Sequence, residues 1–312
     1  MGAHSLITES VNTRTVDIDC MPTLEMVSAI NKEDHLVAKA VERVLPNIAD
    51  AVDTVFEGLK NQGRVFFVGA GTSGRLGVLE AAECPPTFGV TADLFQAVIA
   101  GGERAVFKSV ESAEDDEGQG KRDLQTKSIT KHDVVIGIAA SGRTPYVVGA
   151  LRYAKQQQAK TIAIACNDDS VIGKLADVKV EVVTGPEVIS GSTRMKAGTA
   201  QKLVLNMITT SSMIKMGKVY QNLMVDLNIS NKKLRERAVN MLKMLTNEAD
   251  LVVNEALEAA SLNVKAAIVM LKKHIDAVEA SALLEEKEGF VRKTLSSVKE
   301  EGTETEMEEE SL

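Results

Sequence analysis

Apolar positions recur at intervals of three and four along residues 23–45, through Leu24, Val27, Ala38, Val41, Val44 and Leu45, and predict an amphipathic helix. A second helix is expected after Pro46, with Ile48, Val52, Val55, Phe56 and Leu59 on one face. Beyond residue 60 the pattern changes. Short, nearly continuous apolar runs at residues 65–68, 94–100, 134–138, 161–165 and 178–183 predict buried strands. Helical patterns fall between them, notably over 145–158 and 196–216. Apolar strands that alternate with helices imply a parallel sheet covered on both faces. The expected fold is therefore α/β, a doubly wound parallel sheet in three α-β-α layers. From residue 231 the strands stop, and short helices are expected over 234–245, 249–260, 264–272 and 276–284. The expected organisation is an N-terminal helical segment at 1–60, an α/β domain at 61–230, a small helical subdomain at 231–299 and a Glu-rich tail at 300–312.

Composition narrows the function classes. At 312 residues the chain can hold one large domain and a smaller one. Its formal net charge is -8, aromatics make up 3%, and Trp is absent. Nucleic-acid binding wants a basic footprint and aromatic stacking platforms, so no nucleic-acid partner is expected. No run of about eighteen apolar residues occurs, so no membrane span is expected. The start has neither a basic flank nor a long apolar segment, which argues against a secretory signal. Leu6 stands where a myristoylation motif wants Ser or Thr. Cys20, Cys84 and Cys166 form an odd, sparse set that fits reduced thiols in a cytoplasm. His4, His35, His132 and His274 show no paired spacing, so no metal site is expected.

Candidate chemistry gathers just past the strands. Gly69-Ala70-Gly71-Thr72-Ser73-Gly74-Arg75, Ala140-Ser141-Gly142-Arg143-Thr144 and Ser190-Gly191-Ser192-Thr193-Arg194 each combine hydroxyls, backbone N–H groups and a cation near the start of a helix. Helix N-termini present unpaired donors and a positive partial charge, so such loops suit a phosphate. Loops of this kind converging at one sheet edge would form a sugar-phosphate pocket. The first also spells G-x-G-x-x-G, but a dinucleotide site wants an acid at the end of the second strand. Asp93 would open that strand and Glu103 comes late, so the dinucleotide reading fits less well.

Those loops, with Glu83-Cys84-Pro85-Pro86-Thr87-Phe88-Gly89, Glu114-Asp115-Asp116, Pro145-Tyr146-Val147 and Met195-Lys196-Ala197-Gly198-Thr199, resemble the N-acetylmuramic acid 6-phosphate etherase family of the sugar-isomerase (SIS) domain superfamily. Thr23-Leu24-Glu25-Met26 and Asn31-Lys32-Glu33-Asp34-His35 match it too, and the resemblance runs from about Thr23 to Leu295. It implies a SIS-type sheet and removal of a D-lactyl ether, giving N-acetylglucosamine 6-phosphate and D-lactate, in cytoplasmic recycling of cell-wall peptidoglycan. Carboxyl groups suffice for that chemistry, so no cofactor is expected. The resemblance places the catalytic pair at Glu83 and Glu114; Glu83 is assigned as the acid and Glu114 as the base, and the roles could be exchanged. The sugar phosphate would be bound by Gly71, Thr72, Ser73, Gly74, Ser141, Gly142, Arg143, Thr144, Ser192, Thr193 and Lys196. A homodimer whose sites borrow residues from the neighbour is also implied, with His35 a possible contribution from the partner subunit.

Without the resemblance the same residues read differently. Glu83 would be a surface residue on a helix ended by Pro85-Pro86, Glu114 part of a solvated acidic face, and Ser73, Ser141 and Ser192 plain helix caps. Arg75, Arg143 and Arg194 could pair with carboxylates at the sheet end. Alternative functions on these loops are a phosphosugar isomerase or a phosphosugar-sensing SIS regulatory protein such as the glucokinase regulatory protein. The apolar faces of the N-terminal helices need cover, and a second subunit is one place to find it.

Overall fold

The two N-terminal helical patterns become α1 (Thr23–Glu42) and α2 (Leu45–Lys60). Pro46 falls in the first turn of α2, where its missing N–H removes no helical bond. The computed structural model describes residues 6–229 and 231–296. These fall into two compact units, Met1–Met216 and Gly217–Leu312.

In the first unit the helices lead into β1 (Val65–Gly69), α3 (Gly71–Phe88), β2 (Phe95–Ile99), α4 (Arg104–Phe107), α5 (Glu117–Gln125), β3 (Val134–Ile138), α6 (Pro145–Gln156), β4 (Lys160–Ala165), α7 (Val171–Leu175), β5 (Val178–Glu181) and α8 (Lys196–Lys215). Every pairing in the sheet is parallel, in the order β2-β1-β3-β4-β5. β1 and β3 are buried along their whole length, as their unbroken apolar runs require. Gly69 sits level with Ile99 on one side and Ile138 on the other. The sheet grows outward in opposite directions from the β1–β3 pair. The segments leaving those two strands therefore diverge to opposite faces and open a crevice at their carboxyl ends.

One helix layer is drawn close by glycine. A Cβ at Gly120 would lie 1.9 Å from the Tyr146 carbonyl oxygen, and one at Gly149 1.9 Å from that of Glu117, so α5 and α6 cross almost backbone to backbone. The buried Tyr146 hydroxyl donates to Asp123 Oδ2 at 2.6 Å across this crossing. Burial and that carboxylate push the phenol well above its ordinary range.

Two expectations change. α2 buries Ile48, Ala51, Val52, Val55 and Leu59 within this chain, packing against α8, so its apolar face needs no second subunit. α1 still leaves Leu24 77% and Val27 49% exposed. The Pro85-Pro86 pair does not end α3. The helix runs to Phe88 and closes at Gly89, whose left-handed backbone (φ 63°) lets its N–H donate to the Pro85 carbonyl at 3.0 Å. Prolines this near the end remove only the last helical bonds.

The second unit opens with an antiparallel hairpin, β6 (Val219–Tyr220) and β7 (Leu223–Met224). Helices α9 (Lys232–Thr246), α10 (Asp250–Ala259), α11 (Val264–Lys273), α12 (Ala277–Glu286) and α13 (Val291–Ser296) follow. Ala238, Leu242, Val253, Leu257, Ala267 and Ile268 form its core. Asn231, Asn263 and Asp276 cap α9, α11 and α12 with side-chain oxygens. The hairpin and α13 are too short to leave a periodic signal. The acidic tail at 300–312 lies outside the described residues.

Candidate active site

A cavity of about 550 Å³ occupies the β1–β3 crevice. Gly71, Thr72 and Ser73 line it from the first turn of α3, and Ser141, Arg143 and Thr144 from the turn into α6. Gly191 and Thr193 reach it from the loop before α8, and Glu114 and Asp115 from the single turn before α5. Asp116 caps α5, its Oδ1 accepting the Gln119 N–H at 2.8 Å, which ties down the turn that carries Glu114.

The first loop leaves its helix end open. Ala70 provides no side-chain cap, and the first helical bond of α3 is made by the Gly74 N–H. The N–H groups of Gly71, Thr72 and Ser73 therefore have no partner among the described residues and present a ready anion site. Ser73 is not a cap. It is buried, and its hydroxyl donates to Gln201 Oε1 at 2.9 Å. Gln201 Nε2 is buried without a hydrogen-bond partner among the described residues. Rotating that carboxamide by half a turn would let Nε2 donate to Ser73 and release the serine hydrogen toward an anion. In the second loop Ser141 Oγ accepts the Arg143 N–H at 3.3 Å, and Gly142 takes a left-handed φ of 69°. Gly74 and Gly142 are buried behind the lining residues.

The third loop is arranged differently. The Lys196 and Ala197 N–H groups donate to the fully buried Glu187 carboxylate, each at 2.9 Å. The Gly198 N–H is taken by the Thr193 carbonyl at 2.9 Å. The start of α8 is thus filled by the chain itself, against the expectation of free donors there. Lys196 is wholly buried and donates through Nζ to Glu33 Oε2 at 2.7 Å. Arg14 holds the same carboxylate in a fork, Nε to Oε1 at 2.5 Å and Nη2 to Oε2 at 2.9 Å. Hydrogen bonding to Arg14, assisted by Lys196 against the opposing effect of burial, depresses the Glu33 carboxyl to about 2. Neither Lys196 nor Ser192 is among the residues lining the cavity.

Glu83 and Glu114 are not brought together within one chain. Glu83 lines a separate cavity of about 410 Å³ with Leu79, Glu80, Cys84, Lys202 and Asn206. Ten residues of α3 separate it from Ser73, roughly 15 Å of helix rise. Beside it the buried Glu80 pairs with Lys202 and accepts the Thr209 hydroxyl at 2.9 Å. His35 is exposed on α1, its Nδ1 2.7 Å from the Asn31 carbonyl. Arg75 donates to the Val106 carbonyl at 3.0 Å rather than to a carboxylate. Burial pushes the Cys84 and Cys166 thiols up to about 12, so neither is a nucleophile near neutrality.

Comparison with known proteins decides the family. N-acetylmuramic acid 6-phosphate etherase 1 of Bacillus licheniformis is 53% identical over 94% of this chain and 96% of its own length. The etherase of Clostridium acetobutylicum is 54% identical over 95% of this chain and 98% of its own. The chain belongs to the N-acetylmuramic acid 6-phosphate etherase family. The etherase of Bacillus subtilis agrees, at 52% identity over 95% of this chain and 97% of its own. Residues 112–211 match the SIS domain, and residues 47–155 match the glucokinase regulatory protein N-terminal SIS domain. The matched residues take in the first two loops, Glu83 and Glu114, with the third loop inside the SIS match alone. Glu9, Glu187 and Gln201 escaped the sequence reading, and Glu33 entered it only as part of a motif, because none carries a spacing that marks a buried or site-facing polar group.

Proposed function

We propose that the chain cleaves the D-lactyl ether of N-acetylmuramic acid 6-phosphate, giving N-acetylglucosamine 6-phosphate and D-lactate, in cytoplasmic turnover of peptidoglycan sugars. The observation that carries this reading is one crevice joining an open helix N-terminus to a carboxylate, in a chain so similar to etherases. No helix among the described residues is long and apolar enough to cross a membrane.

The phosphate sits on the free N–H groups of α3, with Ser141, Thr144 and Arg143 closing around it. Opening of the sugar ring exposes the aldehyde, which acidifies the proton on the adjacent carbon. Glu114 takes that proton. The C–O bond to lactate, one carbon further, breaks, and its oxygen receives a proton from Glu83. Glu83, now ionised, takes a proton from water as the hydroxide adds to the carbon that lost lactate, and Glu114 returns its proton to the adjacent carbon, so both carboxyls are restored and no net oxidation or reduction occurs. General acid and general base steps of this kind each contribute about 10²–10⁴ in rate.

A two-carboxyl reaction in this crevice needs Glu83 from outside the chain that supplies Glu114. A two-fold homodimer meets that need, each crevice receiving Glu83 of the partner subunit. Leu79, one turn before Glu83, is 41% exposed, and the uncovered Leu24 and Val27 of α1 offer further apolar surface for self-association. The test is D-lactate release by the purified chain from the phosphorylated muramic sugar, with the unphosphorylated sugar as control. Release from the phosphorylated form alone is expected. No release, or aldose–ketose interconversion of a phosphosugar instead, would overturn the reading. In deuterated water, Glu114→Gln should also stop exchange of the acidic sugar proton.

A further inference from the structure

The segment ahead of α1 is bound down across the carboxyl edge of the sheet. The Ile7 and Thr8 N–H groups donate to Asn167 Oδ1 at 2.8 and 3.4 Å. Asn167 Nδ2 donates in turn to Thr8 Oγ1 at 3.1 Å and to the Ala140 carbonyl, beside the second loop, at 3.0 Å. Farther along, Asn12 Nδ2 donates to the Pro186 carbonyl at 3.3 Å and Thr15 Oγ1 to the Val188 carbonyl at 2.9 Å. Thr8, Asn12 and Thr15 are all buried, and Arg14 adds its fork onto Glu33. Buried, mutually satisfied polar groups of this kind fix a backbone in place.

Glu9 lies between two of these anchors and lines the crevice. Its Oε2 stands 3.3 Å from the position a Cβ at Gly191 would take, so the missing side chain of Gly191 makes room for the carboxylate. Gly191 has a left-handed φ of 76°, which favours glycine independently. The Glu9 carboxylate has no hydrogen bond or ion pair among the described residues.

We propose that Glu9 is a substrate-binding residue that accepts hydrogen bonds from hydroxyl or amide N–H groups of the sugar and so helps select it. The proposal rests on the etherase reading above. An ionised carboxylate only accepts. The substrate's phosphate and lactyl carboxylate are anions that Glu9 repels. The groups left for it to hold are the ring hydroxyls and the acetamido N–H. The crevice lining combines the acidic Glu9, Glu114 and Asp115 with an anion site made by the open end of α3 and the cation of Arg143. The substrate is thereby oriented by charge, with its phosphate on α3 and its neutral donors toward Glu9. A site that hydrogen-bonds a substrate donor also discriminates strongly against analogues lacking it.

The test compares the parent with Glu9→Ala and Glu9→Gln, using N-acetylglucosamine 6-phosphate and inorganic phosphate as binding probes beside D-lactate release. Glu9→Ala should weaken binding of the sugar phosphate about ten- to a hundredfold and raise KM, with inorganic phosphate bound as before. Glu9→Gln, which keeps an acceptor oxygen, should recover part of the loss. Sugar phosphate bound as tightly by Glu9→Ala as by the parent would overturn the proposal, and so would an equal loss for both probes. If the parent releases no D-lactate yet the two probes separate as described, the etherase reading fails and the role of Glu9 stands. If the parent is active and the probes do not separate, only the Glu9 proposal fails.

Discussion

The loops that open α3 and α8 share hydroxyls, glycine and arginine, yet their helix ends have opposite fates. At α3 the first N–H groups stay open toward the crevice. At α8 they are filled by Glu187, and the lysine that opens that helix is locked onto Glu33. A helix N-terminus is therefore an anion site only where no carboxylate of the same chain has already taken it. The first loop keeps its donors open to the crevice, whereas the third joins α1 and the segment ahead of it to the sheet edge and so builds a wall of the crevice.

The contrast breaks most readily at Lys196. Lys196→Ala leaves the buried Glu33 with Arg14 as its remaining cation among the described residues, so the loss should be clear but smaller than the cost of about 3–5 kcal/mol for stranding a buried charge outright. A urea unfolding midpoint close to the parent's would mean that Lys196 does not hold the wall. The same network sets a pH dependence. The Glu33 carboxyl lies near 2 in the folded chain against an ordinary 4.5, so its contribution is complete above about pH 4.5 and is lost as pH falls toward 2. The stability gap between the parent and Glu33→Gln should narrow across that window. A gap independent of pH would contradict the ion pairing.

Effects on the open loops should fall on binding. Ser141→Ala should weaken sugar-phosphate binding about ten- to a hundredfold with little change in Tm. Ser73→Ala should weaken binding and lower Tm as well, since it strands the buried Gln201 oxygen at a cost of about 1–3 kcal/mol. Equal affinity for product in the parent and Ser141→Ala would reduce that loop to a turn. The smallest change in stability is expected for His35→Ala, within about 0.5 kcal/mol, because the ring is exposed on α1. Any loss of turnover in that variant would then report on a neighbour's site rather than on folding.

Sheet and crevice were legible because they follow from strand burial. The five apolar runs became the five strands within a residue or two at most ends, and the loops after β1 and β3 fell at the switch point as the topology demands. The end of α3 was misread, because left-handed Gly89 rather than Pro85-Pro86 closes it. The fates of the carboxylates were not legible. Glu33 and Glu187 are buried by tertiary pairing, which leaves no period, and Glu9 sits in a single turn too short to carry one. The distance between Glu83 and Glu114 depends on how far α3 runs from the crevice. That length was readable, but the motifs that suggest a shared site say nothing of whether one chain or two supply it.

The central claim is that each crevice joins Glu114 of one copy to Glu83 of another. Mixing Glu83→Gln with Glu114→Gln after subunit exchange tests it most directly. Each variant alone should release almost no D-lactate. In a two-fold dimer with shared sites, half the mixed population pairs the two variants and carries one intact crevice of two, so about a quarter of the parental rate should return. A mixture that stays inactive, with exchange demonstrated by differently tagged copies, would contradict the claim.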